Sequence, residues 1–141
     1  MNEKRLTVIG AGLAGCEAAY AAAQRGTAVT LKEMKPQKYT AAHRSPLFAE
    51  LVCSNSLKAS RIESAAGLLK AEMKALGSLC VPIAEKCAVP AGGALAVDRD
   101  LFSAAVTDAV RRHPLITVEE TEVAALPADG VTVVATGPLT A

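Results

Sequence analysis

The spacing of apolar and polar residues changes several times along the chain. Residues 6–9 form a short β-branched apolar run. The run passes through Gly10, Gly12 and Gly15 into an Ala-rich stretch with helical character, which Gly26 is well placed to end. A second short apolar run, "AVTLKE", closes on Glu33, so the opening reads as strand, tight turn, helix, strand: a βαβ unit. After Pro36 the period is lost through "PQKYTAAHRSPLFAELVCSNSLKAS", where Ser45 and Pro46 are expected to open a short helix as N-cap and first helical residue. A stretch this long without a period is usually functional or disordered. In "IESAAGLLKAEMKALG", Ile62, Ala65, Ala66, Leu69, Met73 and Leu76 share one helical face, with Met73 expected in the core and Gly77 just past the end.

The next helix is marked by Asp98 as N-cap, by a stripe of Leu101, Phe102, Ala105, Val106, Ala109 and Val110 expected to be buried, and by Arg111, Arg112 and His113 at its negative end before Pro114. His113 there reads as a helix-terminal charge partner and not as a base. Two strand-like runs, "ITVEETEVAAL" and "VTVVATGPLTA", follow on either side of the turn "PADG". The order predicts an α/β, Rossmann-like dinucleotide-binding domain with an open parallel sheet. A long insertion at about residues 36–97 is expected between the second strand and a later helix.

Composition narrows the classes. A chain of 141 residues, 51% apolar with aromatics at 3%, makes one ordinary domain with a core of Ala, Val and Leu. No run approaches eighteen uncharged apolar residues, and "MNEKRLTVIG" turns into glycines where a signal peptide needs a cleavage site. The expectation is a soluble, cytoplasmic protein without a membrane partner. Cys16, Cys53, Cys80 and Cys87 form no C-x-x-C pair, so free thiols are expected, with neither a metal site nor a disulfide framework.

The net charge of +1 predicts no polyanionic partner by itself. Residues 32–74, however, hold eight Lys and Arg against four Asp and Glu. That segment, with Lys35, Lys38, Arg44, Lys58 and Arg61 among its cations, is the place expected to meet a polyanion, set against the commoner reading of a solvated face.

The glycines carry the first chemistry. G-x-G-x-x-G is weak evidence alone, but here it joins a strand to a helix, and an acidic residue closes the next strand eighteen positions after Gly15. Gly10 permits the tight turn, Gly12 a close approach of backbone to pyrophosphate, and Gly15 close packing of helix on strand. Ala11, Leu13 and Ala14 fill the same turn, whose free N–H groups and positive helix end face phosphate. Glu33 is placed to accept from ribose hydroxyls and its charge disfavours a 2′-phosphate, so FAD or NAD suits the site better than NADP.

With these residues stand the blocks "GAGLAGCEAA", "KEMKP", "FAELVCSNSLKA", "GLLKAEMKALGSL", "VPAGGALAVDR" and "ATGPLT". Together they resemble, nearly end to end, the amino-terminal part of the folate-dependent, FAD-containing tRNA (uracil-5-)-methyltransferase family. The resemblance implies a flavoprotein that takes a methylene group from methylenetetrahydrofolate and electrons from NAD(P)H, and methylates C5 of a T-loop uridine in tRNA. It implies FAD contacts at Gly10, Gly12, Gly15 and Glu33, a place for Val123 beside the adenine, and a return of Ala135, Thr136 and Gly137 to the pyrophosphate. Cys53, Ser54 and Asn55 match a block that lies near the flavin.

Members of that family are about three times longer. The chain thus reads as an N-terminal FAD-binding portion, expected to be inactive in methyl transfer on its own. Lys32 also stands where an aromatic or apolar residue is expected.

Cys53 is the candidate catalytic residue. A uracil C5 is a poor nucleophile until something adds at C6, and a thiolate suits such reversible addition. Protection of the flavin, or relay to it, is the other role open to Cys53, and a small buried hydrophobe is the bland one; Cys16, Cys80 and Cys87 are read as that. Two rival readings remain. A sister flavoprotein that modifies the wobble uridine shares the opening around Cys16 and Glu17, yet carries Cys-Asn-Pro where this chain has Cys53, Ser54, Asn55 and Ser56. The second rival is a non-catalytic dinucleotide-binding module.

Overall fold

The computed structural model describes residues 4–140. Strand β1 (Arg5–Ile9), helix α1 (Leu13–Gln24) and strand β2 (Ala28–Glu33) form the opening unit. Strands β6 (Ile116–Glu120) and β7 (Val131–Val134), from the far end of the described chain, complete a four-stranded sheet in the order β6-β2-β1-β7. All three pairings are parallel. Buried β-branched and Leu side chains are what such strands require: Val8, Val29 and Leu31 are fully buried. Helix α1 turns Gly15, Cys16, Ala19 and Ala23 inward, and these small side chains let it lie close on β1 and β2.

Between β2 and helix α4 (Arg99–Arg112) come β3 (Ser56–Ala59), α2 (Ala65–Ala75), α3 (Cys80–Lys86), β4 (Ala88–Val89) and β5 (Ala94–Val97). The three strands form a small antiparallel sheet in the order β3-β5-β4. Asp98 caps α4 by accepting from the Asp100 and Leu101 amides at 3.1 and 3.0 Å, as its position predicts. At the other end His113 meets Gln24 Oε1 at 3.0 Å and stands edge-on to Tyr20.

Several expectations are corrected. No helix starts at Ser45. The Ser45 hydroxyl accepts from the Leu47 amide, Glu50 takes the Arg44 and Ser45 amides, and the Lys35 ammonium takes the Ser45 and Leu47 carbonyls. The Lys35 ammonium thus occupies two of the carbonyls that a helix from Ser45 would use. The apolar stripe of α2 faces outward: Ile62, Leu69 and Leu76 are 60%, 56% and 74% exposed, and Met73 is only half-buried. In α4, Leu101 is exposed, while the inward places next to Phe102 and Val106 go to Ser103 and Thr107. These two are satisfied there. Ser103 donates to the Ala49 carbonyl, and Thr107 donates to the Ser103 carbonyl and accepts from the Phe48 amide. The irregular segment is thereby drawn inward, and Phe48 is fully buried beneath the Arg111 guanidinium, 4.8 Å from its ring centroid. Burial of that ring is worth about 2 to 3 kcal/mol.

The run after β6 does not continue as strand past Glu120. Strands β6 and β7 lie at opposite edges of the sheet, so residues 121–130 must cross the ends of β2 and β1. Lys32 reaches across to Glu119 of β6 at 3.4 Å, which accounts for a charged residue in that strand.

Candidate functional site

The site grows from the β1–α1 turn. Gly10 has φ +99°, and a Cβ there would collide with the Ala135 carbonyl; a Cβ on Gly15 would collide with the Gly10 carbonyl. Both glycines are therefore demanded by the fold itself. Gly12 differs. Its backbone is extended, and a Cβ there would meet nothing within 4 Å. The space in front of Gly12 is open, and no side chain caps the first turn of α1, so the amides that begin the helix face that space with their positive dipole end.

Glu33 closes the other side. It is buried, with Oε2 accepting from the Ala11 amide at 2.8 Å and Oε1 from the Lys35 amide at 3.0 Å. The carboxylate thus ties the glycine turn to the end of β2. Each oxygen keeps a further lone pair, which suits a pair of vicinal hydroxyls.

Gly10, Ala11, Gly12, Glu33, Val123, Ala135, Thr136 and Gly137 line one cleft of about 230 Å³. Ligand pockets usually run from roughly 300 to 1,000 Å³, so this cleft has the size for part of a dinucleotide. Leu13 and Ala14 stand beyond it on the first turn of α1, with Gly15 packed underneath.

Sequence reasoning missed the wall made by Thr40, His43, Glu50 and Val52. The irregular segment supplies it, held by an ion pair of the buried Lys35 with the half-buried Glu50: Lys35 is 4% exposed and its ammonium lies 3.3 Å from Glu50 Oε2. Burial alone would raise the Glu50 carboxyl, but the Arg44 and Ser45 amides and the Lys35 charge outweigh it and hold Glu50 below its ordinary value of 4.5. The signal in the sequence was a Lys beside the Glu33 strand end, which reads equally well as a surface charge.

Cys53, Ser54 and Asn55 do not line this cleft. Cys53 is exposed, Ser54 accepts from the Ser56 amide, and Asn55 is pinned to β5 by donating to the Val97 carbonyl at 3.1 Å. Asn55 borders a second, shallower depression with Arg44, Arg99 and Asp100, and Glu50 and Val52 line both hollows. The other thiols behave as packing. Cys16 is pushed up to about 12 by burial and then by the Glu33 and Glu17 charges, and burial followed by Glu17 raises Cys80 as well. Cys87 is half-buried.

The expected basic docking face is reduced by the structure. Lys35 is buried, and Lys38 is paired with Glu122 at 2.5 Å. Arg44, Lys58 and Arg61 stay exposed. Among the described residues no group of three or more His, Cys, Asp or Glu is arranged to hold a metal ion, and no helix is long and apolar enough to cross a membrane.

Residues 5–140 match the family described as glucose inhibited division protein A. The chain is 62% identical over 140 residues to the Methylenetetrahydrofolate--tRNA-(uracil-5-)-methyltransferase TrmFO of Geotalea uraniireducens, across 99% of this chain and 32% of that protein. It is 60% identical to the protein of the same name from Symbiobacterium thermophilum, across 99% of this chain and 31% of the relative. The Brevibacillus brevis protein of that name is 56% identical, across 99% and 32%. The chain thus spans about a third of the length of the curated relatives it matches. A solved structure of MHPCO aligns with 83% of this chain and 32% of that one, at 17% identity and a TM-score of 0.47, a likeness too slight to add to the fold described above.

Proposed function

Because the chain belongs to the glucose inhibited division protein A family, we propose that it is the FAD-binding portion of an enzyme that methylates C5 of a T-loop uridine in tRNA. In this reading the methylene group comes from methylenetetrahydrofolate and the reducing electrons from NAD(P)H. The observation that carries it is the 62% identity, over nearly all of this chain, to a protein named for that reaction.

The residues present fit FAD. A Cβ at Gly12 would fill the cradle that a pyrophosphate needs, whereas Gly10 and Gly15 are required by packing alone. The amides at the start of α1 would hold the phosphates, Glu33 the ribose, and Val123 the adenine, with Thr136 and Gly137 beside the pyrophosphate. Bound FAD supplies the electron transfer that brings a folate-derived one-carbon unit to the methyl level.

This chain's own part is to bind and orient. Glu33 fixes the turn and the ribose together, and the Lys35–Glu50 pair keeps the wall of Thr40, His43 and Val52 in place. Cys53 is the residue we assign to chemistry, either adding to uracil C6 or guarding the flavin, and Ser54 and Asn55 set the path of its loop. Its exposure favours this role over packing.

The test is a fusion of this chain to the remaining two thirds of the Geotalea uraniireducens relative. The fusion should hold flavin through desalting and transfer labelled carbon from methylenetetrahydrofolate to a T-loop uridine. A folded, flavin-loaded fusion without transfer would overturn the methyltransferase reading. A fusion that folds but stays colourless in added FAD would overturn the cofactor reading too.

A further inference from the structure

His43 is the side chain in the cleft whose chemistry is least used by the fold. It sits in the irregular segment after β2, which lines the cleft together with the glycine turn. Its Nδ1 lies 2.5 Å from the Thr40 hydroxyl oxygen. That oxygen already accepts from the Ala42 amide at 3.2 Å and the His43 amide at 3.3 Å. A hydroxyl has two acceptor sites and one proton, so with both acceptor sites occupied Thr40 can only donate to Nδ1. The ring proton therefore sits on Nε2. Among the described residues this N–H meets no protein acceptor, and it is not a fully buried orphan.

The cleft's lysines already have partners: Lys35 is spent on two carbonyls and Glu50, and Lys32 is paired with Glu119. Glu33, Glu50 and Glu122 line the cleft against Lys32 and Lys35, so acid exceeds base there by one. A ligand bearing phosphates needs N–H donors to enter such a place. The glycine-turn amides supply some of them, and His43 Nε2–H is a further, uncommitted ring donor.

We propose that His43 is a ligand-binding residue, which donates from Nε2 to an oxygen of the ribose–pyrophosphate backbone of the bound dinucleotide. Thr40 is its positioning residue, fixing the tautomer, and the turn is held in turn by Glu50 through the Arg44 and Ser45 amides. The inference rests on the FAD-binding reading above and adds a residue to that site.

The experiment measures the Kd of FAD, and of ADP as a probe without the flavin, for this chain and its variants, with thermal melts as the control for folding. His43→Phe keeps the ring's bulk and removes its N–H, and should weaken both ligands about tenfold, the usual effect of losing a hydrogen bond to a charged acceptor. His43→Gln, a second variant that keeps a side-chain N–H donor, should lose less than the Phe variant. Thr40→Val should weaken binding about threefold, with Thr40→Ser restoring it. The His43 Nε2 nitrogen resonance should shift when ADP binds, which a structural role alone would not produce. A folded His43→Phe chain that binds both ligands as well as the unaltered chain, with no shift of that resonance, would overturn the assignment and leave the FAD reading standing. An unaltered, folded chain that binds neither ligand would overturn both.

Discussion

The glycine turn and the Cys53 loop stand on neighbouring hollows yet are built on opposite principles. At the turn, Gly10 and Gly15 are fixed by backbone oxygens in contact, Glu33 is buried with both oxygens bonded, and the surrounding amides are aligned before any ligand arrives. At the loop, Val52, Cys53, Ser54 and Asn55 are all exposed. The difference teaches that one chain can hold a cleft rigid through backbone contacts and a buried carboxylate, while a neighbouring loop is tied down only by Ser54 and Asn55 and leaves its thiol in the open.

The contrast can be broken first at Gly15. Gly15→Ala sets a methyl against the Gly10 carbonyl and should cost about 3 kcal/mol of stability, read from urea denaturation. An unchanged midpoint would show that the turn is looser than its geometry indicates.

Next in size is Lys35→Met, which strands the Ser45 and Leu47 carbonyls and leaves the half-buried Glu50 without its counter-charge, at about 2 to 3 kcal/mol by the same measurement. The Glu50 carboxyl supplies a pH test. Its folded value lies below 4.5, so its stabilising contribution is complete above 4.5 and is lost as the pH falls through the lowered value. Glu50→Gln should therefore flatten part of the acid limb of a stability–pH curve. An unchanged limb would remove Lys35 and Glu50 as the clamp of the wall that holds Thr40 and His43.

Glu33→Ala should weaken FAD binding by about 1 to 3 kcal/mol in isothermal titration, since the proposed ribose acceptor goes and the Ala11 amide loses its partner. Gly12→Ala sharpens the comparison with Gly15. Its methyl enters open space, so stability should move by less than about 0.5 kcal/mol while FAD affinity falls about tenfold. Cys53→Ala should have the smallest effect on fold, within about 0.5 kcal/mol, with FAD retained and methyl transfer lost in the fusion. Thiol labelling sets the same contrast: Cys53 should react at once, and Cys16 and Cys80 only on unfolding.

Local patterns were legible from the sequence because local physics decides them. The βαβ opening, the role of Gly10 in the turn, Glu33 at the strand end and Asp98 as a cap each follow from neighbours within a few residues. The sequence by itself determined those, and with them the family. The tertiary structure decided what depends on distant partners: β6 and β7 placed at opposite edges of one sheet, Val123 and Ala135 brought to the same cleft, and Phe48 drawn under Arg111. It also turned Lys35 from an expected docking cation into a buried clamp and left the regular stripe of α2 facing outward. Periodicity tells which side chains share a face, but whether that face is covered depends on surfaces arriving from elsewhere in the chain, and only the closed fold brings them together.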